Sequence, residues 1–561
     1  MKLNKERVST LICFLLLCSF GSGAVVVNVF AQEPQQQRER RVVSATPAVS
    51  TTPTASATVR AASANAPQTI EDLRSRIRQI LSSPQLAPAF VGVKVVSLDT
   101  GRTLFEENAG KLLVPASNMK MYTMAAALDR LTPEFRWTTS VYAANRPDAS
   151  GTLRGDLIVY GRGDPSIAAS FNDGDYTKAI DELAERIAAA GVRRVEGALV
   201  GDESYFTGAP YGAGWEWDDL QWYYGAEVSA LTVNDNSIDL FVKPGASVGS
   251  SCTIATGPAQ LPHITIKNLT TTTARGTRRE LSVYRDLGAN TIEVGGSLPL
   301  DDRGYTGEIA VARPAQMFVD LLRASLSRRG VTIAGQSQII DARARRNIPL
   351  DTSKLFELAK RQSPPLSFIA AKTLKPSQNL YTELTLRTLG EQKGRIAAVP
   401  ILSISGSEQQ RTAQTSARST SAEAGINVVK AFLQRAGADA VVMNDGSGLS
   451  RHDFVTADAS VKLLAYISRL PFSNVFRDAL PLAGVDGTLA NRMKGTAAAG
   501  NVRAKTGTVE AVSSLSGYAT SAAGERLVFS IIVNNYPGGA DVRRSYIDAI
   551  AELLASFNGK S

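Results

Sequence analysis

The two ends of the chain share a pattern that its middle lacks. Helix-like and strand-like segments alternate at both ends, whereas short apolar runs separated by Gly, Asp and Asn occupy residues 138–350, a texture typical of β structure. The sequence therefore predicts one α/β unit, formed by both ends, around a long and mostly β insertion. The end segments are the helices 68–83 and 541–557 and the strands 90–98, 513–519 and 527–533.

Domain boundaries follow from this pattern. The α/β unit is predicted to take residues 67–140 and 355–561, and the inserted β-rich domains residues 141–354. A stretch rich in Ser, Thr and Gln at 403–422 is expected to form a loop. Further helices are predicted at 116–131, 177–190, 314–329, 366–389, 421–436 and 456–469.

The N-terminal residues have the pattern of an export signal. Lys2, Lys5 and Arg7 precede a long apolar run, so residues 1–31 are predicted to be a signal peptide or an uncleaved anchor. Residues 32–66 nearly lack large apolar side chains, which predicts a disordered linker. We therefore expect an exported protein of the periplasm or cell envelope, attached to a membrane only if the N-terminal run is retained.

Composition excludes several classes of function. The 561 residues include three cysteines, two of them in the N-terminal apolar run, so neither a disulfide framework nor a thiolate zinc site is expected. Any mechanism that needs histidine must use His263 or His452. The net charge of +9 comes from scattered basic residues without a recognisable nucleic-acid motif, so no nucleic-acid partner is expected.

One Ser-x-x-Lys motif stands at the start of a predicted helix. Residues three apart lie on the same face of a helix, so the Ser117 hydroxyl and the Lys120 amine can meet. The amine can take the hydroxyl proton only when it is neutral, which requires burial or a second cation nearby. Taken alone the motif is weak, because most helix lysines are simply solvated.

Two further motifs follow in an informative order. Ser377 and Asn379 stand at a predicted helix start, where they bring a hydroxyl and a carboxamide, although both residue types also cap helices routinely. The tripeptide Lys505-Thr506-Gly507 lies on a predicted strand expected at a sheet edge. A lysine and a hydroxyl there can bind a carboxylate, and the glycine lets a substrate approach the backbone.

The combination of the three motifs resembles the penicillin-binding proteins and β-lactamases. More narrowly, residues 67–561 resemble the low-molecular-mass class C penicillin-binding proteins, which are D-alanyl-D-alanine carboxypeptidase/endopeptidases. The resemblance implies a serine β-lactamase/transpeptidase-like α/β (α+β) domain, with a five-stranded antiparallel sheet flanked by helices and large β-rich inserted domains. The supporting segments are Leu113–Lys120, Gly155–Pro165, Ser229–Asn236, Asn444–Ser450 and Ala504–Thr508.

The resemblance also implies catalytic roles. Ser117 would attack the penultimate D-Ala carbonyl of a peptidoglycan stem peptide and form an acyl-enzyme, with Lys120 as the base and Lys505 holding the pKa of Lys120 down. Ser377 would pass a proton to the leaving amine, and the backbone N–H groups of Ser117 and Thr508 would form the oxyanion hole. β-Lactams would act as covalent inhibitors, and no metal or organic cofactor is implied.

The remaining motif residues are implied to bind substrate. Asn379 would hold the substrate amide, and Lys505 with Thr506 would bind the terminal carboxylate beside Gly507 and Thr508. Gln378 stands where Asp is common in the family, a departure from its pattern.

Three other interpretations stay open from the sequence. A wall-binding or scaffolding protein could retain the same fold without catalysis, and a β-lactamase would share the acylation chemistry. The pattern Gly245-Ala-Ser247-Val-Gly249 matches an α/β-hydrolase elbow with His452 as the distant base, but no helix follows it.

Aromatic and acidic residues crowd together at 215–224 in the predicted insertion. Trp215, Trp217 and Trp222 alternate there with acidic residues and tyrosines. Such a cluster either packs as a small core of the insertion, the favoured interpretation, or stacks on sugar rings and grips a cationic peptide side chain.

Overall fold

A computed structural model describes most of the chain after the N-terminal region. The predicted signal peptide, nearly all of the predicted linker and most of the predicted 403–422 loop lie outside the described residues. In the part that is described, no helix combines the length and the apolar character needed to cross a bilayer. The described residues are 66–258, 261–395 and 419–561.

The helices predicted from periodicity are present in the structure. Threonine side chains cap three of them, since Thr69, Thr420 and Thr456 each accept a hydrogen bond from a backbone N–H of the first turn. The helices are α1 (Ile70–Leu81), α2 (Met119–Arg130), α3 (Lys178–Ala189), α4 (Pro314–Arg328), α5 (Leu366–Leu374), α6 (Asn379–Leu389), α7 (Ser421–Arg435), α8 (Ala457–Ile467), α9 (Ser473–Ala479) and α10 (Ala540–Ser556).

The strands concentrate in the insertion and at the two ends of the chain. They are β1 (Phe90–Ser97), β2 (Thr103–Glu107), β3 (Thr138–Ala143), β4 (Thr152–Leu153), β5 (Leu157–Tyr160), β6 (Arg194–Val195), β7 (Leu199–Asp202), β8 (Ser237–Lys243), β9 (Thr253–Gly257), β10 (Thr265–Thr273), β11 (Glu280–Arg285), β12 (Thr291–Pro299), β13 (Tyr305–Ala310), β14 (Thr332–Ile333), β15 (Ser337–Ile340), β16 (Phe356–Gln362), β17 (Val441–Val442), β18 (Phe454–Val455), β19 (Arg503–Val509), β20 (Val512–Thr520) and β21 (Arg526–Asn534).

A five-stranded antiparallel sheet joins the two ends of the chain. Its order is β19-β20-β21-β1-β2, so the first strand of the chain pairs with the last one, with Val93 opposite Ile531. The expected five-stranded antiparallel sheet is therefore confirmed. The motif strand β19 lies at one edge of the sheet, as predicted, with one side of its backbone unpaired within the sheet.

Helices cover both faces of this sheet. Successive side chains of β21 point to opposite faces, so Phe529 and Ile531 pack with α1 and α10, whereas Val528 and Ile532 pack with the helices on the other side. Burying one helix layer on each face excludes water from the sheet and fixes its register. The resulting three-layer unit holds β19 and the start of α2 on adjoining elements.

The insertion has its own core. Its main sheet has the order β15-β7-β5-β3-β16, and helices α3 and α4 pack together against it. Strands β3 and β16 pair with each other, so the chain enters and leaves the insertion on neighbouring strands. The helices predicted within this mostly β region are confirmed.

Candidate active site

Ser117 lies in a tight turn that leads into α2. The turn Ala116–Asn118 is a single turn of 3-10 helix, and Ala116 has the left-handed φ of 49°. Such a conformation costs a non-glycine residue on the order of 1–3 kcal/mol, so the surroundings must hold it. They do so closely, since a Cβ added to Gly448 would lie 1.9 Å from the Ala116 carbonyl oxygen and could not fit. The close packing of Gly448 therefore supports the turn that carries Ser117.

The Lys120 amine is fully buried beneath that hydroxyl. Lys120 Nζ lies 2.8 Å from Ser117 Oγ, 2.6 Å from Asn379 Oδ1 and 2.7 Å from the Ser447 carbonyl oxygen. Its side chain has no solvent exposure. The one-turn spacing in the sequence correctly predicts the meeting of the serine and the lysine.

The chemistry of these three oxygens constrains the state of the amine. Two of them belong to carbonyl groups and can only accept, so each takes an N–H from Lys120. The third belongs to a hydroxyl, which can also donate. A neutral Lys120 can therefore keep both carbonyl contacts while its lone pair accepts the Ser117 proton. Lys120 is also the second residue of α2, where the positive end of the helix dipole disfavours an ammonium.

Asn379 is held from two sides. Its Nδ2 donates to the Tyr224 carbonyl oxygen at 2.8 Å, and its Oδ1 accepts from Lys120. Because a carbonyl cannot donate, this pair of contacts fixes which end of the amide faces Lys120. The implied role of Asn379 was to hold the substrate amide; in the structure its amide links Lys120 to the insertion.

Ser377 forms a second serine-lysine pair. Lys505 Nζ lies 2.8 Å from Ser377 Oγ and 2.8 Å from the Thr506 carbonyl oxygen, and the lysine side chain is fully buried. Ser377 has the left-handed φ of 66°, just after Pro376, and this break divides the helical stretch predicted at 366–389 into α5 and α6. Gln378 turns its side chain to cap α6 by accepting from Leu380 N at 3.1 Å.

The rest of the β19 motif lines the same place. The Thr506 hydroxyl pairs with the Thr488 hydroxyl at 2.7 Å, and the Thr508 hydroxyl donates to the Gly507 carbonyl at 2.8 Å. A Cβ at Gly507 would lie 2.5 Å from the Pro115 carbonyl oxygen. A side chain at position 507 would therefore collide with the backbone before the serine turn, which passes directly over β19.

These contacts form a closed ring around one location. Hydrogen bonds join Ser117 to Lys120 and Lys120 to Asn379. Two residues before Asn379, Ser377 is hydrogen-bonded to Lys505 on β19. The same strand then passes beside the serine turn, since a Cβ added at Gly507 would lie 3.1 Å from Ala116 Cβ. Three segments separated by more than a hundred residues therefore meet. The structure brings together all of the residues predicted from the three motifs.

A buried carboxylate cluster behind Lys120 was not predicted. Asp445 accepts from the backbone N–H groups of Ser447, Gly448 and Ser450, and Glu383 accepts from Gly446 N at 2.8 Å. Burial first, and then neighbouring Asp445, raises the pKa of Glu383 from 4.5 to about 7, and the same two causes raise the pKa of Asp453. The nearby Arg387 also responds to burial, which lowers its pKa to about 10. The cluster shapes the loop that presents the Ser447 carbonyl to Lys120.

The aromatic segment 215–224 contains both packed and solvent-exposed tryptophans. Trp215 packs in a small apolar cluster with Leu380 and Leu384 of α6, and Trp222 packs against the core of the insertion, but Trp217 is 68% exposed. Trp215 and Trp222 are half-buried and pack in different clusters, so the segment does not form a small core of its own within the insertion. Burial also raises the pKa of Asp219 in this segment to about 6.

No described contact joins either histidine to one of the serine-lysine pairs. His263 Nδ1 pairs with Asp320 Oδ2 at 2.7 Å in the insertion, and His452 lies against Gly214 in the loop after Asp445. Ser247, the nucleophile of the alternative hydrolase interpretation, lies in an exposed turn that leads into β9 and not into a helix. That interpretation fails on its structural context.

Comparison with known proteins gives a consistent result. The model of the D-Ala-D-Ala carboxypeptidase 3 (S13) family matches residues 73–400 and 408–557. A D-alanyl-D-alanine carboxypeptidase from Actinomadura sp. (strain R39) is 35% identical over 503 residues, covering 87% of this chain and 86% of the relative. The carboxypeptidase DacB of Haemophilus influenzae is 25% identical over 460 residues, with 80% and 86% coverage.

A solved structure has the same fold. The crystal structure of penicillin-binding protein 4 from Haemophilus influenzae superposes with a TM-score of 0.68 at 23% identity and covers 85% of this chain and 98% of that one. A second structure of that protein, in complex with a β-lactam, gives a TM-score of 0.64 at 21% identity. The likeness covers the insertion as well as the α/β unit.

Proposed function

The chain belongs to the D-Ala-D-Ala carboxypeptidase 3 (S13) family, and from that premise we propose that Ser117 is the nucleophile of its D-Ala-D-Ala carboxypeptidase/endopeptidase activity. The protein is a serine peptidase of the penicillin-binding class. The observation that carries the residue assignment is the 2.8 Å contact between Ser117 Oγ and the fully buried Lys120 Nζ.

Acylation begins with proton transfer from Ser117 to Lys120. As Ser117 Oγ attacks the carbonyl carbon of the penultimate D-Ala, its proton passes to the Lys120 lone pair, and the amine becomes an ammonium. The Asn379 and Ser447 oxygens lie within hydrogen-bonding distance of Lys120 and stabilise the ammonium as it forms. The carbonyl oxygen becomes an oxyanion, for which the N–H groups of Ser117 and Thr508 are the proposed donors.

Collapse of the tetrahedral intermediate requires a proton on the leaving amine. Ser377 Oγ, 2.8 Å from Lys505, is the proposed donor, and the proton that Lys120 took from Ser117 replaces the one it gives, so that Lys120 becomes neutral again and Lys505 keeps its charge. The C–N bond then breaks, the amine leaves and the acyl group stays on Ser117. In the second half of the reaction water attacks the ester carbonyl, the C–O bond to Ser117 Oγ breaks, the acyl group leaves as a carboxylic acid, and a proton from the water returns to Ser117 Oγ.

The positive charge of Lys505 suits recognition of the terminal carboxylate. Lys505, Thr506 and Thr508 lie along edge strand β19, where an extended peptide can align, and a carboxylate placed there would meet an ammonium and hydroxyl groups. Peptidoglycan stem peptides are the proposed substrates and β-lactams the proposed covalent inhibitors. The N-terminal apolar run supports export of the enzyme to the periplasm or cell envelope.

Product analysis tests this function. Purified protein is incubated with a synthetic pentapeptide that ends in D-Ala-D-Ala and with cross-linked muropeptide dimers, and the products are separated by liquid chromatography and weighed by mass spectrometry. Loss of one D-Ala from the pentapeptide shows carboxypeptidase activity, and conversion of dimers to monomers shows endopeptidase activity. The Ser117→Ala variant is the control and is expected to leave both substrates intact. Intact substrates with the wild-type protein would reject the proposal.

A further inference from the structure

The inserted segment 212–225 is linked by hydrogen bonds to both groups whose oxygens accept from Lys120, to the Asn379 amide directly and to the Ser447 carbonyl through Asp445. We propose that Trp215 is a positioning residue for Lys120, acting through Asp445 and the peptide group between Ser447 and Gly448. The proposal rests on the function proposed above, in which Lys120 is the base. It extends that function by giving the insertion a part in acylation, in addition to any contact with substrate.

The first link is a chain of short hydrogen bonds. Trp215 Nε1 donates to Asp445 Oδ2 at 2.7 Å, and Asp445 Oδ1 accepts from Gly448 N at 2.7 Å. That N–H belongs to the same peptide group as the Ser447 carbonyl, which lies 2.7 Å from Lys120 Nζ. A carboxylate that accepts from the N–H of a peptide group makes the carbonyl oxygen of that group a stronger acceptor. The hydrogen bond from Gly448 N to Asp445 therefore strengthens the hydrogen bond from Lys120 to the Ser447 carbonyl.

Trp215 differs from the other donors to Asp445. The N–H groups of Ser447, Gly448 and Ser450 belong to the loop that Asp445 organises, so they move with it. The indole N–H comes from the insertion, 230 residues away in the chain, and ties this loop to a separate body of structure. The carboxylate itself is 1% exposed.

The second link ends on the same segment. The Tyr224 carbonyl accepts from Asn379 Nδ2, and the opposite end of that amide accepts from Lys120. Gly214 brings the segment close to the loop after Asp445, since an added Cβ would lie 2.6 Å from Ser450 Oγ. The segment therefore orients one acceptor of Lys120 through Trp215 and the other through Tyr224.

A phenylalanine at position 215 separates the hydrogen bond from packing. Trp215 packs against the small apolar cluster that contains Leu380 and Leu384, and a phenyl ring keeps most of that apolar contact while the indole N–H is lost. A matched control exists in Trp137, whose buried Nε1 donates to Thr388 Oγ1 at 2.9 Å. Trp137→Phe removes one indole hydrogen bond to the far end of α6 and has no described link to Lys120.

The experiment measures acylation by a fluorescent penicillin in a stopped-flow instrument. Varying the penicillin concentration separates the dissociation constant of the first complex from the first-order acylation constant. Wild-type protein must be labelled and Ser117→Ala unlabelled; failure here rejects the proposed function and leaves the present inference without its premise. Given labelling, Trp215→Phe is expected to lower the acylation constant about ten-fold, the size of one hydrogen bond to a charged group, with the dissociation constant unchanged. Trp137→Phe is expected to keep both constants within about two-fold of wild type.

A double-mutant cycle tests the route through Asp445. If the indole acts through that carboxylate, Trp215→Phe added to Asp445→Asn lowers the acylation constant by less than about two-fold further. Additive losses, an unchanged acylation constant in Trp215→Phe, or a loss confined to the dissociation constant would each overturn the inference. Should Asp445→Asn fail to fold, Gly214→Ala replaces it, since the added methyl displaces the segment from Ser450 and is expected to lower the acylation constant like Trp215→Phe. An unaffected acylation constant in folded Gly214→Ala would also count against the inference.

Discussion

The candidate active site contains the same pair of groups twice, in different surroundings. Ser117 with Lys120 and Ser377 with Lys505 each show a hydroxyl-to-amine distance of 2.8 Å, and both lysines are fully buried. Lys120 stands in the first turn of α2 between two carbonyl oxygens supplied by distant segments. Lys505 stands on an edge strand and contacts a carbonyl oxygen of the adjacent residue.

The difference between the pairs teaches that distance alone does not identify a nucleophile. The helix dipole at Lys120 disfavours an ammonium before reaction, and the two carbonyls stabilise it once the proton has arrived. Those conditions suit a base. Lys505 instead stands on strand β19, 2.8 Å from Ser377 Oγ and 2.8 Å from the Thr506 carbonyl oxygen, so it suits the role of a cation that polarises Ser377 and attracts a carboxylate.

Removing each hydroxyl in turn should give the largest difference between the two serine-lysine pairs in the rate of covalent labelling. Ser117→Ala is expected to abolish covalent labelling by penicillin, because no other oxygen replaces the attacking atom. Ser377→Ala is expected to slow labelling about a hundred-fold, the usual contribution of a proton donor. Gel fluorescence after timed incubation measures both. Equal losses in the two variants would contradict the assignment.

Replacing each lysine by arginine sharpens the same comparison. Arginine keeps the charge but is not deprotonated in proteins, so Lys120→Arg loses the base and should slow acylation about a thousand-fold. Lys505→Arg keeps a cation and should slow acylation only about thirty-fold, mainly because the hydrogen bonds of the side chain change. Stopped-flow acylation constants report both effects, with circular dichroism to verify folding. If Lys505→Arg lowered the acylation constant more than Lys120→Arg, Lys505 would be the base and Lys120 the cation.

The carboxylate cluster behind Lys120 predicts a dependence of stability on pH. Glu383 has a pKa of about 7 in the folded protein, above its ordinary 4.5, so its protonated form favours folding. Its contribution is complete below about pH 4.5 and is lost as pH rises through 7, up to about 3 kcal/mol. Urea unfolding at pH 5 and pH 8 should therefore show a smaller fall in the free energy of unfolding for Glu383→Gln than for wild type. Equal falls would show that Glu383 does not titrate in this window.

The smallest expected effect concerns the residue between Ser377 and Asn379. Gln378 caps α6 and does not contact either lysine in any described hydrogen bond, and aspartate is one of the favoured capping residues. Gln378→Asp should change the free energy of unfolding by less than about 1 kcal/mol and leave the acylation constant within about three-fold. Thermal unfolding and penicillin labelling measure the two quantities. A ten-fold change in acylation would show that this side chain reaches the substrate groove.

The sequence was most informative where side-chain chemistry and spacing coincide. One helical turn separates Ser117 from Lys120, and a Gly-containing turn separates two strand-like runs at 513–519 and 527–533, so the serine-lysine contact and the β20–β21 hairpin were predictable. The family resemblance supplied the five-stranded topology and the order of the motifs.

The groups that sequence reasoning missed are of a different kind. The Ser447 and Tyr224 carbonyls hold Lys120 and Asn379 through main-chain atoms, which every residue type possesses and no motif encodes. The Trp215 contact with Asp445 depends on how the insertion packs on α6, a tertiary arrangement that periodicity does not reveal. The run Asn444–Ser450 was a visible signal, since its small residues and carboxylate are typical of a tightly bonded loop, but the sequence did not indicate what that loop faces.

Mapping the site of penicillin attachment tests the central assignment most directly. The wild-type protein is treated with benzylpenicillin, digested with a protease and analysed by tandem mass spectrometry. We expect one penicilloyl group per chain, located on Ser117 and absent from the Ser117→Ala variant. A modification located on Ser377, or a wild-type protein that acquires no covalent group, would contradict the account.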